Sequence, residues 1–366
     1  MRKNAFAGRI FSVCVLMATL GGCVTVPNQD FAKQEIEVYR RTSERRTAIF
    51  LTTEEARGYA LLALPFARVA SYVYCEHLVR KVKLEKAAAE ECEKLHPLGD
   101  FGWKGLFDSS EVLNDHEVRT GIAFSAFARP RPDGGADVVI AFRGTDFTKL
   151  NDWKSNLRWI TRFLPGEDQY NVLHRRSKEI IDRALNGAKK LLPETRSFAI
   201  YTTGHSLGGG LAQSLAYTDR RVEGAVVFNP SPVTGYSTVV RDDEVNCNVR
   251  LLRVYERGEA LQYVRSFIRQ FYTLSDNIHE VAFDLLHSHG NPFRNHSMQA
   301  FRDALQEVAK VGEGTLVPIA KLPGTPDCDC YGARRAEART EWPQACLVPH
   351  RSGNANAAEA NIIKAQ

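Results

Sequence analysis

Tyr201-Thr202-Thr203-Gly204-His205-Ser206-Leu207-Gly208-Gly209-Gly210 is the stretch on which the reading of this 366-residue chain turns. It carries G-x-S-x-G at Gly204, Ser206 and Gly208, between a strand-like run over 197–202 and a helical run over 207–217. A serine placed where a strand ends and a helix begins sits on a turn so tight that small residues must flank it, which pushes its Oγ into the open. The glycines also let the following helix pack close to the strand. Leu207, first residue of that helix, would then offer its backbone N–H to a developing oxyanion. The plainer alternative is a glycine-rich turn in which Ser206 merely caps the helix.

Working outward, strand-like runs at 197–202, 222–228 and 249–255 alternate with helical stretches at 178–192 and 207–217. Short apolar strands alternating with helices predict an α/β fold with a mainly parallel central sheet and helices on both faces. Upstream, the apolar runs 121–129 and 137–142 are separated by Pro130, Pro132, Asp133, Gly134 and Gly135. That punctuation predicts an antiparallel hairpin. Nearer the start, Thr53 is expected to cap a helix with Glu54 and Glu55 in its first turn, ending at Pro65, with a second apolar helix over about 65–78. No internal repeat is apparent.

The first 22 residues combine basic Arg2, Lys3 and Arg9 with an apolar run from Ile10 to Leu20. This pattern predicts an export signal, and its apolar run falls short of the roughly 20 residues of a spanning helix. Leu20-Gly21-Gly22-Cys23 resembles the lipobox of bacterial lipoproteins, which implies cleavage before Cys23 and acylation of its thiol. Val24 in the next position leans toward the outer membrane. Such a chain would be tied to a membrane surface without crossing it. Residues 23–50, with Arg40, Arg41, Arg45 and Arg46 close together, are read as a tether, residues 51–312 as the folded body, and 313–366 as a cysteine-containing tail. Beyond Cys14 and Cys23, six cysteines remain, an even number that allows three disulfides in an exported chain. The formal net charge of +5 loses three basic and no acidic residues with the signal, leaving a nearly neutral chain with no nucleic-acid footprint.

Three motifs occur in order: Phe142-Arg143-Gly144-Thr145-Asp146, then Asp152-Trp153-x-x-Asn156-Leu157, then Gly204-His205-Ser206-Leu207-Gly208-Gly209. Together they resemble the class 3, fungal-type lipases and their bacterial relatives over roughly residues 55–305. The resemblance implies an α/β-hydrolase fold and acyl transfer through Ser206, with Thr145 giving a second oxyanion donor beside Leu207. A serine hydroxyl needs a histidine to take its proton and an acid to orient that histidine. In this fold they follow the serine in the order acid, then histidine. His296 is the choice for the base, because Asn295-His296-Ser297-Met298 resembles the segment opening the last helix in bacterial members; His289 is its rival. His205 is read as a structural side chain pointing away from the pocket.

The acid departs from the family pattern, since Val254-Tyr255-Glu256-Arg257-Gly258-Glu259-Ala260-Leu261 holds no Asp. Glu259, after a glycine and two before Leu261, fits best, and Glu256 is the alternative. Trp153, Leu157, Trp159, Ile160, Phe163 and Leu164 fall where family members carry an amphipathic lid. The implied substrate is a lipid ester, either acylglycerol or phospholipid, with no cofactor or metal. Two other readings remain: a short-chain or cell-envelope esterase or thioesterase on the same fold, and an inactive envelope scaffold lipoprotein.

Overall fold

The computed structural model describes residues 38–42, 45–81, 92, 94, 96–144, 169–235, 246, 249–268, 278–286 and 291–310. All belong to the compact unit Met1–Pro326; a second unit, Asp327–Gln366, lies outside the described residues. The signal, Cys23, Thr145, the lid segment 146–168, His289 and the tail 313–366 likewise fall outside them.

Nine strands among the described residues form one sheet in the order β2-β1-β9-β8-β7-β6-β5-β4-β3. They are β1 (Val38–Thr42), β2 (Arg45–Phe50), β3 (Lys104–Asp108), β4 (Phe124–Pro130), β5 (Ala136–Phe142), β6 (Phe198–His205), β7 (Val222–Phe228), β8 (Arg250–Glu256) and β9 (Ile278–Phe283). β5 through β9 run parallel, as the alternation with helices predicts. Both flanks are antiparallel: β4 and β5 make the expected hairpin, β3 extends it, and β1 and β2 extend the sheet beyond β9. The fold is an α/β-hydrolase sheet.

Six helices matter for the site: α1 (Thr53–Lys81), α2 (Gln169–Leu191), α3 (Leu207–Thr218), α4 (Gln262–Ile268), α5 (Pro292–Asn295) and α6 (Met298–Lys310). The period of two along each strand sends alternate residues to opposite faces. Val138, Ile140 and Phe142 pack with α2 and α3, whereas Val139 and Ala141 pack with α1 and α6. Each face therefore buries its own apolar cluster, which is why the central strands read as unbroken apolar runs.

Three expectations are corrected. The two helices anticipated around Pro65 are one, α1, with Pro65 inside it. An interior proline costs about 3 kcal/mol, but Phe66, Val69, Ala70 and Val73 just beyond it are buried against the sheet, and one such larger side chain contributes about 1.5–3 kcal/mol. Burial wins. The N-cap is Thr52, not Thr53: its Oγ1 accepts from the Glu55 N–H at 3.3 Å while the Glu55 carboxylate accepts from the Thr52 N–H at 2.9 Å. The reciprocal pair is a capping box. Finally, the tether expected over 23–50 is shortened, since 38–50 supplies β1 and β2. Its charge-rich sequence suits the edge of a sheet, where charges discourage further strand pairing.

One of the expected disulfides joins Cys75 to Cys92, with Cα atoms 5.7 Å apart. Cys247, Cys328, Cys330 and Cys346 lie outside the described residues. No helix among the described residues is long and apolar enough to cross a membrane.

Phe301 of α6 is fully buried and meets Phe228 and Phe283 edge-on, each with ring centroids 6.3 Å away. Phe301→Ala is expected to lower the free energy of unfolding by about 3–5 kcal/mol, measured by chemical denaturation.

Candidate active site

The site lies at the carboxyl ends of the parallel strands, where open α/β sheets place their ligands. Ser206 follows β6 and opens α3 with φ 58° and ψ −125°. Such a conformation costs a non-glycine residue about 1–3 kcal/mol and persists only where its surroundings impose it. Here the Ser206 N–H donates to Phe228 O at 3.0 Å, and Ser206 O accepts from Ser231 N at 2.8 Å and Gly209 N at 3.1 Å. The side chain makes no cap hydrogen bond to α3, so the reading of Ser206 as a mere helix cap falls.

Close backbone approach explains the flanking glycines. A Cβ at Gly204 would strike the Gly208 backbone, and one at Gly208 would strike Phe142 O and lie 2.8 Å from Gly144 N. Strand β5, strand β6 and helix α3 thus meet with no room for a side chain. Leu207 begins α3, as expected.

The glutamates after β8 part company. Glu259 is fully buried, and its Oε2 lies 2.5 Å from His296 Nδ1 and 2.9 Å from the Leu261 N–H. Its Oε1 is paired with Arg265 Nη2. Burial by itself would raise this carboxyl, but the Arg265 charge, His296 and the Leu261 N–H outweigh it and hold Glu259 below the ordinary carboxylate range. Glu256, equally buried, turns instead to the chain after β9. It accepts from Leu285 N at 3.0 Å and Leu286 N at 2.8 Å, and its own N–H donates to Asn229 Oδ1 at 2.8 Å. Burial drives it well above the ordinary range, against the pull of the two N–H groups, with Asp284 and Glu259 adding to the rise. Of the two candidates, then, Glu259 is the one the fold brings to His296.

His296 sits at the C-cap of α5, just ahead of α6, and is buried. Its ring packs on that of His205, centroids 4.6 Å apart. Since His205 directly precedes Ser206, this contact sets the imidazole of His296 beside the elbow. It also corrects the reading of His205 as pointing away from the site: a residue ending a buried strand has both faces covered, and this face is covered by His296. Burial, the His296 charge and Arg265 hold His205 well below the usual histidine range, although the His296 backbone favours its charged form. His205 is accordingly neutral at working pH.

Two further residues were not legible in the sequence. Tyr74 of α1 places its hydroxyl 3.0 Å from His205 Nδ1 and accepts from the Gly144 N–H at 3.1 Å. It thereby fixes the residue before Thr145 against the elbow, although Thr145 itself lies outside the described residues. Arg265 of α4 is the other. Neither belongs to a motif: Tyr74 reaches the site across the fold, and Arg265, six residues after Glu259, is tied to the nucleophile's support only through Pro230. Among the described residues no cluster of His, Cys, Asp or Glu could hold a metal.

Residues 67–246 match a family model described as phospholipase-like, Tle-like phospholipase domain. No curated protein matches in sequence. Among solved structures, the lipase from Rhizopus microsporus var. chinensis is 18% identical, with 68% of this chain and 79% of that chain covered and a TM-score of 0.35. Lipase II from Rhizopus niveus is 16% identical over 65% of this chain and 80% of its own, TM-score 0.34. M37 lipase is 13% identical over 70% and 95%, TM-score 0.38. The sheet and the strained serine define the class, an α/β-hydrolase. With the domain match over 67–246, the chain is a hydrolase of carboxylic esters of lipids.

Because Glu256 binds a proton more tightly folded than unfolded, it favours the fold at acid pH, and that contribution is lost as pH rises through its raised folded value. A glutamine there keeps an Oε1 for both N–H groups without a charge. Glu256→Gln is therefore expected to leave activity within a few-fold of wild type and to raise the melting temperature more at pH 8 than at pH 4. A loss of activity comparable to that of a triad variant would contradict this assignment.

Proposed function

We propose that the chain hydrolyses acyl esters of phospholipids with Ser206 as nucleophile, His296 as general base and acid, and Glu259 as the acid that orients His296. The carrying observation is the buried Glu259–His296 contact at 2.5 Å, packed through His205 against the strained Ser206. The phospholipid preference draws on the domain match.

In this mechanism Ser206 Oγ attacks the ester carbonyl as His296 Nε2 takes its proton. Charge develops on the carbonyl oxygen, where the backbone N–H groups of Leu207 and Thr145 would receive it; one such donor is worth about 2.7–4 kcal/mol of barrier. His296 then protonates the departing glyceryl oxygen as the carbon–oxygen bond breaks, leaving an acyl-serine. Water, deprotonated by His296, attacks that ester and releases the fatty acid, returning the proton to Ser206. Glu259 keeps the proton of neutral His296 on Nδ1 throughout, so that Nε2 faces the serine. Because Ser206 is only 1% exposed, substrate must enter by displacing what covers it. The aromatic residues between Asp146 and Asp168, where the resembled family carries a lid, lie outside the described residues.

The chain is further proposed to work at the bacterial envelope, tied by acyl chains on Cys23 to a membrane and placed at the outer membrane. This rests on Leu20-Gly21-Gly22-Cys23 followed by Val24.

The test uses the chain lacking residues 1–23 with p-nitrophenyl esters of increasing acyl length and with phosphatidylcholine vesicles. Ser206→Ala is expected to lose activity by a factor of about 10⁶, and Glu259→Gln by about 10⁴ through the wrong histidine tautomer. Release of fatty acid from the vesicles supports the phospholipid assignment. Cleavage confined to short esters makes the protein a short-chain esterase, and a folded wild type inert on every substrate makes it a scaffold.

A further inference from the structure

Arg265 takes no step in the proposed reaction, yet it is buried at 5% exposure against the one carboxylate that the reaction needs. Its guanidinium lies over the Tyr255 ring, 4.3 Å from the centroid, so its plane is fixed. One arm is paired with Glu259 Oε1, and the other donates to Pro230 O at 3.2 Å. Pro230 abuts Gly209 so closely that a Cβ there would lie 2.8 Å from its side chain, and the next residue, Ser231, donates its N–H to Ser206 O. The fork therefore joins the loop bearing Glu259 to the loop that supports the nucleophile.

A donor count points the same way. Glu259 Oε2 is served by His296 and the Leu261 N–H. Oε1 has Arg265, and a carboxylate oxygen left bare at zero exposure would carry the full cost of its desolvation. A glutamate is one methylene longer than the aspartate of the resembled family, so its carboxylate has one more torsion to be fixed. The planar, bidentate fork of arginine suits that task better than a lysine.

Charge adds a second reason. In the resting enzyme His296 must be neutral to accept a proton, so it cannot balance a buried Glu259. The groups facing the pair are Arg265 from α4, His205 from β6, held neutral, and the acidic Glu256 from β8, whose own neighbour Asp284 is paired with Arg257 at 3.0 Å. Arg265 thus balances Glu259 while His296 is neutral. When His296 takes the proton, the same cation opposes the imidazolium and helps return the proton to the leaving group.

We propose that Arg265 is a positioning residue for the Glu259–His296 pair, fixing the carboxylate toward His296 and preventing the pair from retaining the proton. The proposal rests on the triad reading above. Its test is the pH dependence of kcat/KM for a p-nitrophenyl ester in wild type, Arg265→Met and Arg265→Lys, together with the ring signals of His296 followed by NMR across the same pH range. Removing a cation from beside the pair strengthens its hold on a proton. In Arg265→Met the acid limb and the His296 titration are both expected to move to higher pH by about one unit, with kcat reduced at least tenfold. Arg265→Lys keeps the charge and is expected to return both toward wild type.

A limb and titration that stay in place, with activity lowered evenly at every pH, would make Arg265 structural and overturn the proposal. Should Arg265→Met fail to fold, the double variant Arg265→Met/Glu259→Gln leaves no unpaired buried charge and is expected to fold; its failure to do so likewise overturns the pairing. The NMR titration needs no turnover. A wild type without esterase activity would therefore sink the triad reading alone, while the His296 titration still decides the role of Arg265.

Discussion

The molecule is organised around a single close approach, the contact of α3 with the ends of β5 and β6 at Gly204 and Gly208. There the backbone of one helix touches the backbones of two strands, at separations that a Cβ could not share. The approach leaves Ser206 at φ 58°, and its N–H bond to Phe228 O together with the bond its own O accepts from Ser231 N–H holds it there. Strain of this kind is sustained only by a rigid surround. The two apolar clusters supply it, one on each face of the sheet, with β6 contributing to both.

On that base the remaining groups are assembled from three separate parts of the chain. Glu259 comes from the loop after β8 and Arg265 from α4 just beyond it, His296 from the junction of α5 and α6, and Tyr74 from α1. Each is buried or half-buried and each is tied to another by a hydrogen bond, ion pair or ring contact. A buried polar group without partners is costly, whereas a satisfied network specifies one arrangement. The two glutamates show how sharply environment divides similar residues. Three positions apart, one is held ionised beside a cation and a histidine, and the other is driven toward its neutral form by burial, with acidic neighbours adding to the rise.

The strained serine costs stability and the burial around it restores it. Ser206, Glu259 and His296 are all buried.

Local sequence determined those features whose physics is local. The glycines flanking Ser206 announce a tight strand-to-helix turn, the punctuation at 130–135 announces a hairpin, and alternation of apolar strands with helices announces the parallel sheet. The choice of His296 and Glu259 needed the family resemblance, and the fold then set the two side by side. What sequence left open was decided at long range. Pro65 argued for a helix break, but burial of the residues beyond it carried α1 through. The charge-rich stretch 38–50 carried no clear strand alternation, and it became strand by pairing, β1 with β9 and β2 with β1. Arg265 lies only six residues from Glu259 but shows its role through Pro230, and Tyr74 shows its role through Gly144 and His205, groups brought to them by the fold. Periodicity and turn chemistry act over a few residues and can be read along the chain. Partnership between buried polar groups is settled only when the sheet brings distant strand ends together.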